Sequence, residues 1–342
     1  YSADSLAAAE RAARKWARLQ PCSLNGWTAL GGALEFQGKY AAAESAYARA
    51  ETAQPELSDL GGHRVELAIR AARFDLVDSL LAHGLASENA DESGDALWKS
   101  VLSYRTQGRM REALRAARTL RARDARDPGL VSLEARVLLE MRHYREAAQR
   151  YDSMALAMVK ETDANTQRSA AAWFTNEATA LVALRDTARL DDLERWVRHY
   201  GSLSSEMRDR TLYHYVNAMR RELAGDLDGA IVGYRAAIGS PIGGNVRAML
   251  ALGRALTRRG RAAEALPVLD AAIRGALGAS GSAVTKTELH EAFAQALDAS
   301  GHTTRAIKEY AWVTNAWRRA DPEIVARRMR SEQRIAALAN TR

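Results

Sequence analysis

The chain of 342 residues has one cysteine, Cys22, and no apolar run as long as about 18 residues, which excludes an intramolecular disulfide, a multi-cysteine zinc site and a membrane-spanning helix. Its composition, 47% hydrophobic with only 6 prolines and 23 glycines, suits an all-helical protein. The formal charge of +7 rests on arginine, since only six of the 49 basic residues are lysine, and those arginines alternate with acids as on solvated helix faces.

From the N-terminus, Leu6, Ala9, Ala13 and Trp16 recur at helical spacing, and Pro21 ends that helix. Ala7, Ala8, Ala12, Ala17 and Leu19 widen its apolar surface, so the chain is expected to begin mid-unit, with an upstream helix before Tyr1. Next, Trp27, Leu30, Gly31 and Leu34 mark one stripe of a first helix, and Ala43, Tyr47 and Ala50 the matching stripe of a second. Small residues at 31 and 43 let the two helices approach, Trp27 and Tyr47 fill the space beside them, Gly38 makes the turn and Pro55 stops the pair.

The turn is echoed at Ala72, Gly108, Arg142, Gly225, Gly260 and Gly301. Five residues after most of these comes a small residue: Ala113, Ala147, Ala230, Ala265 and Ala306. Four further on stand Ala117, Tyr151, Tyr234, Leu269 and Tyr310. Residues 57–88 keep the length of the unit but place Val77, Leu81 and Gly84 in the stripe, a degenerate copy. Between 161 and 205 the period stretches, and Trp173, Phe174, Leu181 and Leu184 followed by Leu190, Leu193, Trp196, Val197 and Tyr200 read as a helical pair with a longer connection. Residues 239–244 and 278–282 read as loops. Asp321 as N-cap and Pro322 in the first helical position start a closing helix.

This order of residues closely resembles the tetratricopeptide repeat, about 34 residues long with the pattern W-x2-L-G-x2-Y, A-x3-F, P. Leu34 stands at its first Tyr and Tyr47 at its Phe. The resemblance implies an all-α, right-handed α-solenoid forming one continuous domain over 1–342: N-terminal repeats in 1–160, an irregular pair in 161–205, C-terminal repeats in 206–320 and a capping helix in 321–342. It also implies a non-catalytic scaffold or sensor arm that binds a protein or peptide in its concave groove. The stretch from Trp317 to Glu323 resembles the ending of repeat arrays attached to bacterial regulatory proteins, such as serine/threonine kinases, cyclases and transcriptional activators of the BTAD type. Two other readings stay open: a ligand-sensing array of a signalling ATPase or transcriptional regulator, and a nucleic-acid-binding helical repeat.

No constellation of catalytic or metal-binding residues emerges. The seven histidines include no pair at i, i+4 and no HExxH motif, and residues 239–244 lack the GK[ST] ending of a phosphate loop. Cys22 follows Pro21 with no base partner in sight and reads as structural. No cofactor or metal is therefore expected. The arginine and alanine excess reads as the codon bias of a GC-rich bacterial gene, which weighs against a nucleic-acid partner, and the expected compartment is the cytoplasm unless a signal peptide was removed. The resemblance places the first helix of each repeat on the concave face. Its inward offsets give Trp98, Arg105, Arg136, Glu140, Tyr215, Glu222, Arg247, Arg254, Arg258 and Glu291, with Trp173 and Asn176 added from the irregular pair. Arginine beside an exposed aromatic is the composition of a binding hot spot.

Overall fold

The computed structural model describes residues 3–54, 61–125, 127–239, 245–275 and 284–340, so Pro55 and the loops at 240–244 and 278–282 lie outside the described residues. All regular structure among them is helical. A single helix, α1 (Ala3–Leu19), is followed by α2 (Leu24–Phe36) with α3 (Tyr40–Ala53), α4 (Gly61–Arg70) with α5 (Phe74–Leu85), and α6 (Ala90–Thr106) with α7 (Met110–Arg123). The pairs continue as α8 (Pro128–Glu140) with α9 (Tyr144–Val159), and α10 (Ala164–Leu184) with α11 (Thr187–Ser202). After the short α12 (Met207–Arg210) come α13 (Leu212–Leu223) with α14 (Leu227–Ala237), α15 (Val246–Arg258) with α16 (Ala262–Arg274), and α17 (Lys286–Ala299) with α18 (Thr303–Ala316). A 3-10 turn, Trp317–Arg319, leads into α19 (Pro322–Ala339).

Every pair turns in the same way. The residues Gly38, Ala72, Gly108, Arg142, Arg185, Gly225, Gly260 and Gly301 all have φ between 54° and 88°. The amide after each donates five residues back, as from Lys39 to Leu34 O at 3.0 Å and from Asp186 to Leu181 O at 3.1 Å. This closure satisfies carbonyls that the first helix would leave bare and sends the chain straight into the second. The turn at Arg185 corrects one expectation: the connection inside the irregular pair is as short as the others. The extra residues lengthen α10 to 21 and fill the passage through α12. Side-chain caps fix most first helices at their N-termini, including Ser23, Asn89, Asp127 ahead of Pro128, Asp163, Asn245 and a reciprocal Thr285–Glu288 capping box.

Within a pair the packing follows the small and large stripe. A Cβ on Gly31 would stand 2.5 Å from the Tyr47 ring, and Ala43, Ala113, Ala147, Ala230, Ala265 and Ala306 are all fully buried. The α-solenoid then does something its repeat pattern does not announce: it curves through a turn and meets itself. Trp312 Nε1 of α18 donates to Arg70 O at 3.2 Å, Asn315 Nδ2 donates to Ala72 O at 2.9 Å, and Trp312 packs edge-on against Phe74. Met110 joins Val313, Trp317 and Ile324 in one apolar cluster. Arg318 and Arg319 reach Asp75, and Arg319 also reaches Asp78 at 3.0 Å. Gly108 is held at φ +71° directly under this contact, where a Cβ would come within 2.9 Å of Ala320 Cβ.

The closing helix α19 is therefore more than a lid on the C-terminal repeat. Asp321 occupies its N-cap position, but makes no capping bond with its side chain. Its carboxylate instead accepts from the Arg111 amide across the seam at 2.9 Å, while its own amide donates to Gly108 O at 3.0 Å. The first repeat has a separate apolar core of α1, α2 and α3 side chains joined by Leu67. On α1, Trp16 is 42% exposed and hydrogen-bonds Gln20.

Candidate functional site: the inner face of the closed turn

Successive first helices, with α19 following α17, line the inside of the turn, and polar pairs one repeat apart bridge them. Arg70 pairs with Glu35 at 2.6 Å, Arg105 with Glu140, Arg136 with Asn176, Arg258 with Glu222, Arg254 with Glu288 at 3.9 Å, Arg327 with Glu291, and Arg334 with Asp298. The ladder neutralises most of the inner arginines. Several are deeply buried, where a guanidinium is tolerated only with partners. Arg70 is 3% exposed, yet besides Glu35 it donates to Ile273 O at 3.3 Å and Gly275 O at 2.9 Å, at the carboxyl end of α16 where positive charge is favoured. Lys286 donates to the same two carbonyls, and burial together with Arg70 holds its pKa well below the usual lysine range.

Two cavities open on this face and share Tyr215, Ala251 and Arg254. The first, about 350 Å3, lies among α8, α10, α13, α15, α17 and α19, and carries Arg136, Arg142, Arg247, Arg254 and Arg327 against only Glu140 and Glu288. The second, about 570 Å3, adds Arg185, Arg258, Glu222 and an apolar floor of Val182, Met219 and Leu223. Arg142 and Arg185 sit at the pair turns in left-handed backbone, where five other turns use glycine. A side chain there costs roughly 1 kcal/mol or more, and these two guanidinium groups lie at the cavity walls.

The ladder breaks in the first cavity. Arg136 is 4% exposed and its hydrogen-bond partner is a neutral amide, Asn176 Oδ1 at 3.1 Å, leaving Nε without an acceptor. Arg247 Nη1 is likewise buried without an acceptor among the described residues. Burial first and the neighbouring Arg136 second pull the Arg247 pKa down to about 9. Beneath Arg136, whose guanidinium stands 5.8 Å from the Tyr151 ring centre, the Tyr151 hydroxyl is also buried and unpaired. In three other pairs the equivalent hydroxyl donates to an acid twelve residues earlier: Tyr47 to Glu35 at 2.9 Å, Tyr234 to Glu222 at 2.6 Å, Tyr310 to Asp298 at 3.3 Å. Twelve residues before Tyr151 stands Leu139. The region thus holds surplus donors and surplus positive charge.

Of the residues expected in the groove, Arg136, Glu140, Tyr215, Arg247 and Arg254 line the first cavity, and Glu222 and Arg258 join Tyr215 and Arg254 in the second. Arg105 lies below them, buried and engaged by Glu140 in two hydrogen bonds, and Asn176 supports Arg136. Glu291 is held by Arg327 and faces another cavity beside Tyr310 and Arg334. Trp98 stands apart, in a small cavity between α4 and α6 with Val65, Glu66 and Lys99. Trp173, added from the irregular pair, is a core residue, 7% exposed and packed edge-on to Tyr151. The sequence reading passed over Arg142, Arg185 and Arg327. The first two break the glycine habit of the turn, and Arg327 stands one repeat after Glu291, so both signals were present in the spacing.

No family model matches the sequence, and no curated protein matches it. Among solved structures it is similar to a chain of the APC/C hetero-tetramer Cut9–Hcn1, with a TM-score of 0.48 and 11% identity over 93% of this chain and 66% of that one, so it spans just under two thirds of that chain. It is also similar to the TPR domain of P58(IPK), with a TM-score of 0.29 and 14% identity over 97% of this chain and 94% of that one. A third is a chain of Naa15/Naa10 bound to HypK-THB, with a TM-score of 0.29 and 13% identity over 99% and 69%. Eight pairs with one shared turn geometry decide the architecture among the described residues. The chain is a tetratricopeptide-like helical-repeat array.

Proposed function

We propose that this tetratricopeptide-like array is a non-catalytic interaction scaffold that seats an acidic polypeptide segment in the groove formed by the two joined cavities. The observation that supports this most is the pairing of excess arginine with an apolar floor over a continuous stretch from Arg142 to Arg258. A peptide can bury aliphatic side chains on Val182, Met219 and Leu223 while its carboxylates meet the arginine rim. In this reading the array is the sensing arm of a larger bacterial regulatory protein. The nucleic-acid reading is weaker, because outer arginines such as Arg235 and Arg259 are answered by acids, Glu264 at 2.6 Å and Asp228 at 2.9 Å.

A photo-crosslinking residue placed at Ala251, which lies in both cavities, or at Val232, which is 69% exposed on α14, tests the reading. Partner polypeptides should be trapped from position 251 and not from 232. Trapping from 232 alone would move the binding surface off the groove.

A further inference from the structure

We propose that Arg136 and Arg247 form a binding site for a phosphoryl group, with Arg142 and Arg254 at its rim. The assignment deepens the groove reading, and it rests on that reading only for the source of the group.

The charge count carries it. Of the acids in the cavity wall, Glu140 is occupied by both hydrogen bonds from Arg105, and Glu288 pairs with Arg254 at 3.9 Å while its Oε2 accepts from the Thr285 amide and hydroxyl. Arg327 is satisfied by Glu291. That leaves Arg136 and Arg247 facing one cavity without a carboxylate partner, each with a buried N–H that finds no acceptor among the described residues. Two guanidinium groups that face one cavity with buried donors unanswered are costly to a fold, and a site that keeps them is poised for an anion that neutralises both. A single carboxylate brings one negative charge. A phosphoryl monoester brings about 1.5 to 2 near neutral pH and three strong acceptor oxygens. Those oxygens can meet guanidinium groups arriving from separate helices, Arg136 on α8 and Arg247 on α15, in a way that a planar carboxylate cannot. The volume of about 350 Å3 admits the group with water around it. The strained Arg142 turn adds a cation at the mouth, beside Tyr144.

Calorimetric titration of the full chain with inorganic phosphate, and with a phosphoserine peptide and its unphosphorylated form, at fixed ionic strength, tests the site. Saturable binding with one site per chain is expected for phosphate. Arg247→Gln and Arg136→Gln should each weaken it at least about tenfold, while Arg259→Gln, whose partner is Asp228, should leave it unchanged. Arg247→Gln should also melt at the same or a higher temperature than the parent without ligand, which separates loss of the site from loss of the fold. No saturable phosphate binding, or equal binding by Arg247→Gln, would overturn the assignment. Tighter binding of the phosphopeptide than of phosphate supports a peptide as the source. Equal binding of the two overturns the peptide source in favour of a soluble phosphorylated molecule, whatever the crosslinking at Ala251 shows.

Discussion

Arg70 and Arg247 are two inward arginines with opposite surroundings. Arg70, at the seam where the C-terminal repeats dock, has a carboxylate and two carbonyls around its guanidinium. Arg247, in the groove, has a buried donor with nothing to donate to and another cation beside it. The seam arginine meets acceptors on several sides, whereas the groove arginine meets another cation. The same division separates Tyr47, Tyr234 and Tyr310, each given an acid, from Tyr151, which is not.

The comparison breaks most visibly in denaturation. Arg70→Met strands the buried Glu35 carboxylate and should cost about 3–5 kcal/mol in urea unfolding, whereas Arg247→Gln should cost nothing; equal losses would erase the distinction between seam and groove. Ala43→Leu and Ala265→Leu, one in the first repeat and one in the groove half, should each cost about 1–3 kcal/mol by overpacking fully buried contacts. Melting curves that match the parent would show that the repeat register is wrong.

A pH test sharpens the same contrast at Glu177, a buried carboxyl of α10 beside Arg189 and Asp152. Burial raises its pKa from 4.5 to about 7, against the pull of Arg189. A raised folded pKa means that the stability it confers is complete below the unfolded value near 4.5 and is lost as pH rises through about 7. Glu177→Gln should therefore gain on the parent between pH 5 and pH 8, by about 2 kcal/mol, with Asp152 still holding Arg189. A gap in melting temperature that stays constant with pH would refute this. Smallest of all, Arg142→Gly relieves a left-handed turn and should stabilise the ligand-free chain by about 1 kcal/mol. The same change should weaken phosphate binding only slightly, since Arg142 is a rim residue.

The repeats were legible because each is a local pattern, and Gly31 beside Tyr47 or Gly38 in its turn can be read within a few dozen residues. The same frame puts Arg136, Tyr215, Arg247 and Arg254 at inward offsets, and these four line one cavity. Trp173, which came from the irregular pair and not from the repeat offsets, packs against Tyr151. Two things had no local signature. Whether an arginine has a partner depends on the neighbouring repeat, which is why Glu291 and Arg105 looked available and are engaged. The seam depends on residues that no repeat relates, such as Asn315 and Ala72, and Asp321, whose sequence context reads as an ordinary N-cap, serves it instead.

That seam changes how the molecule must fold. A linear array gains its stability from neighbour to neighbour and can grow from any point, but the bond from Asp321 to Gly108 and that from Asn315 to Ala72 span more than two hundred positions. Closing so long a loop carries an entropic cost before any contact rewards it. The repeats can therefore form early and quickly, with ring closure as the late step that ties Arg111 to Glu323 and Met110 to Trp317. Until that step, the groove has walls but no fixed width.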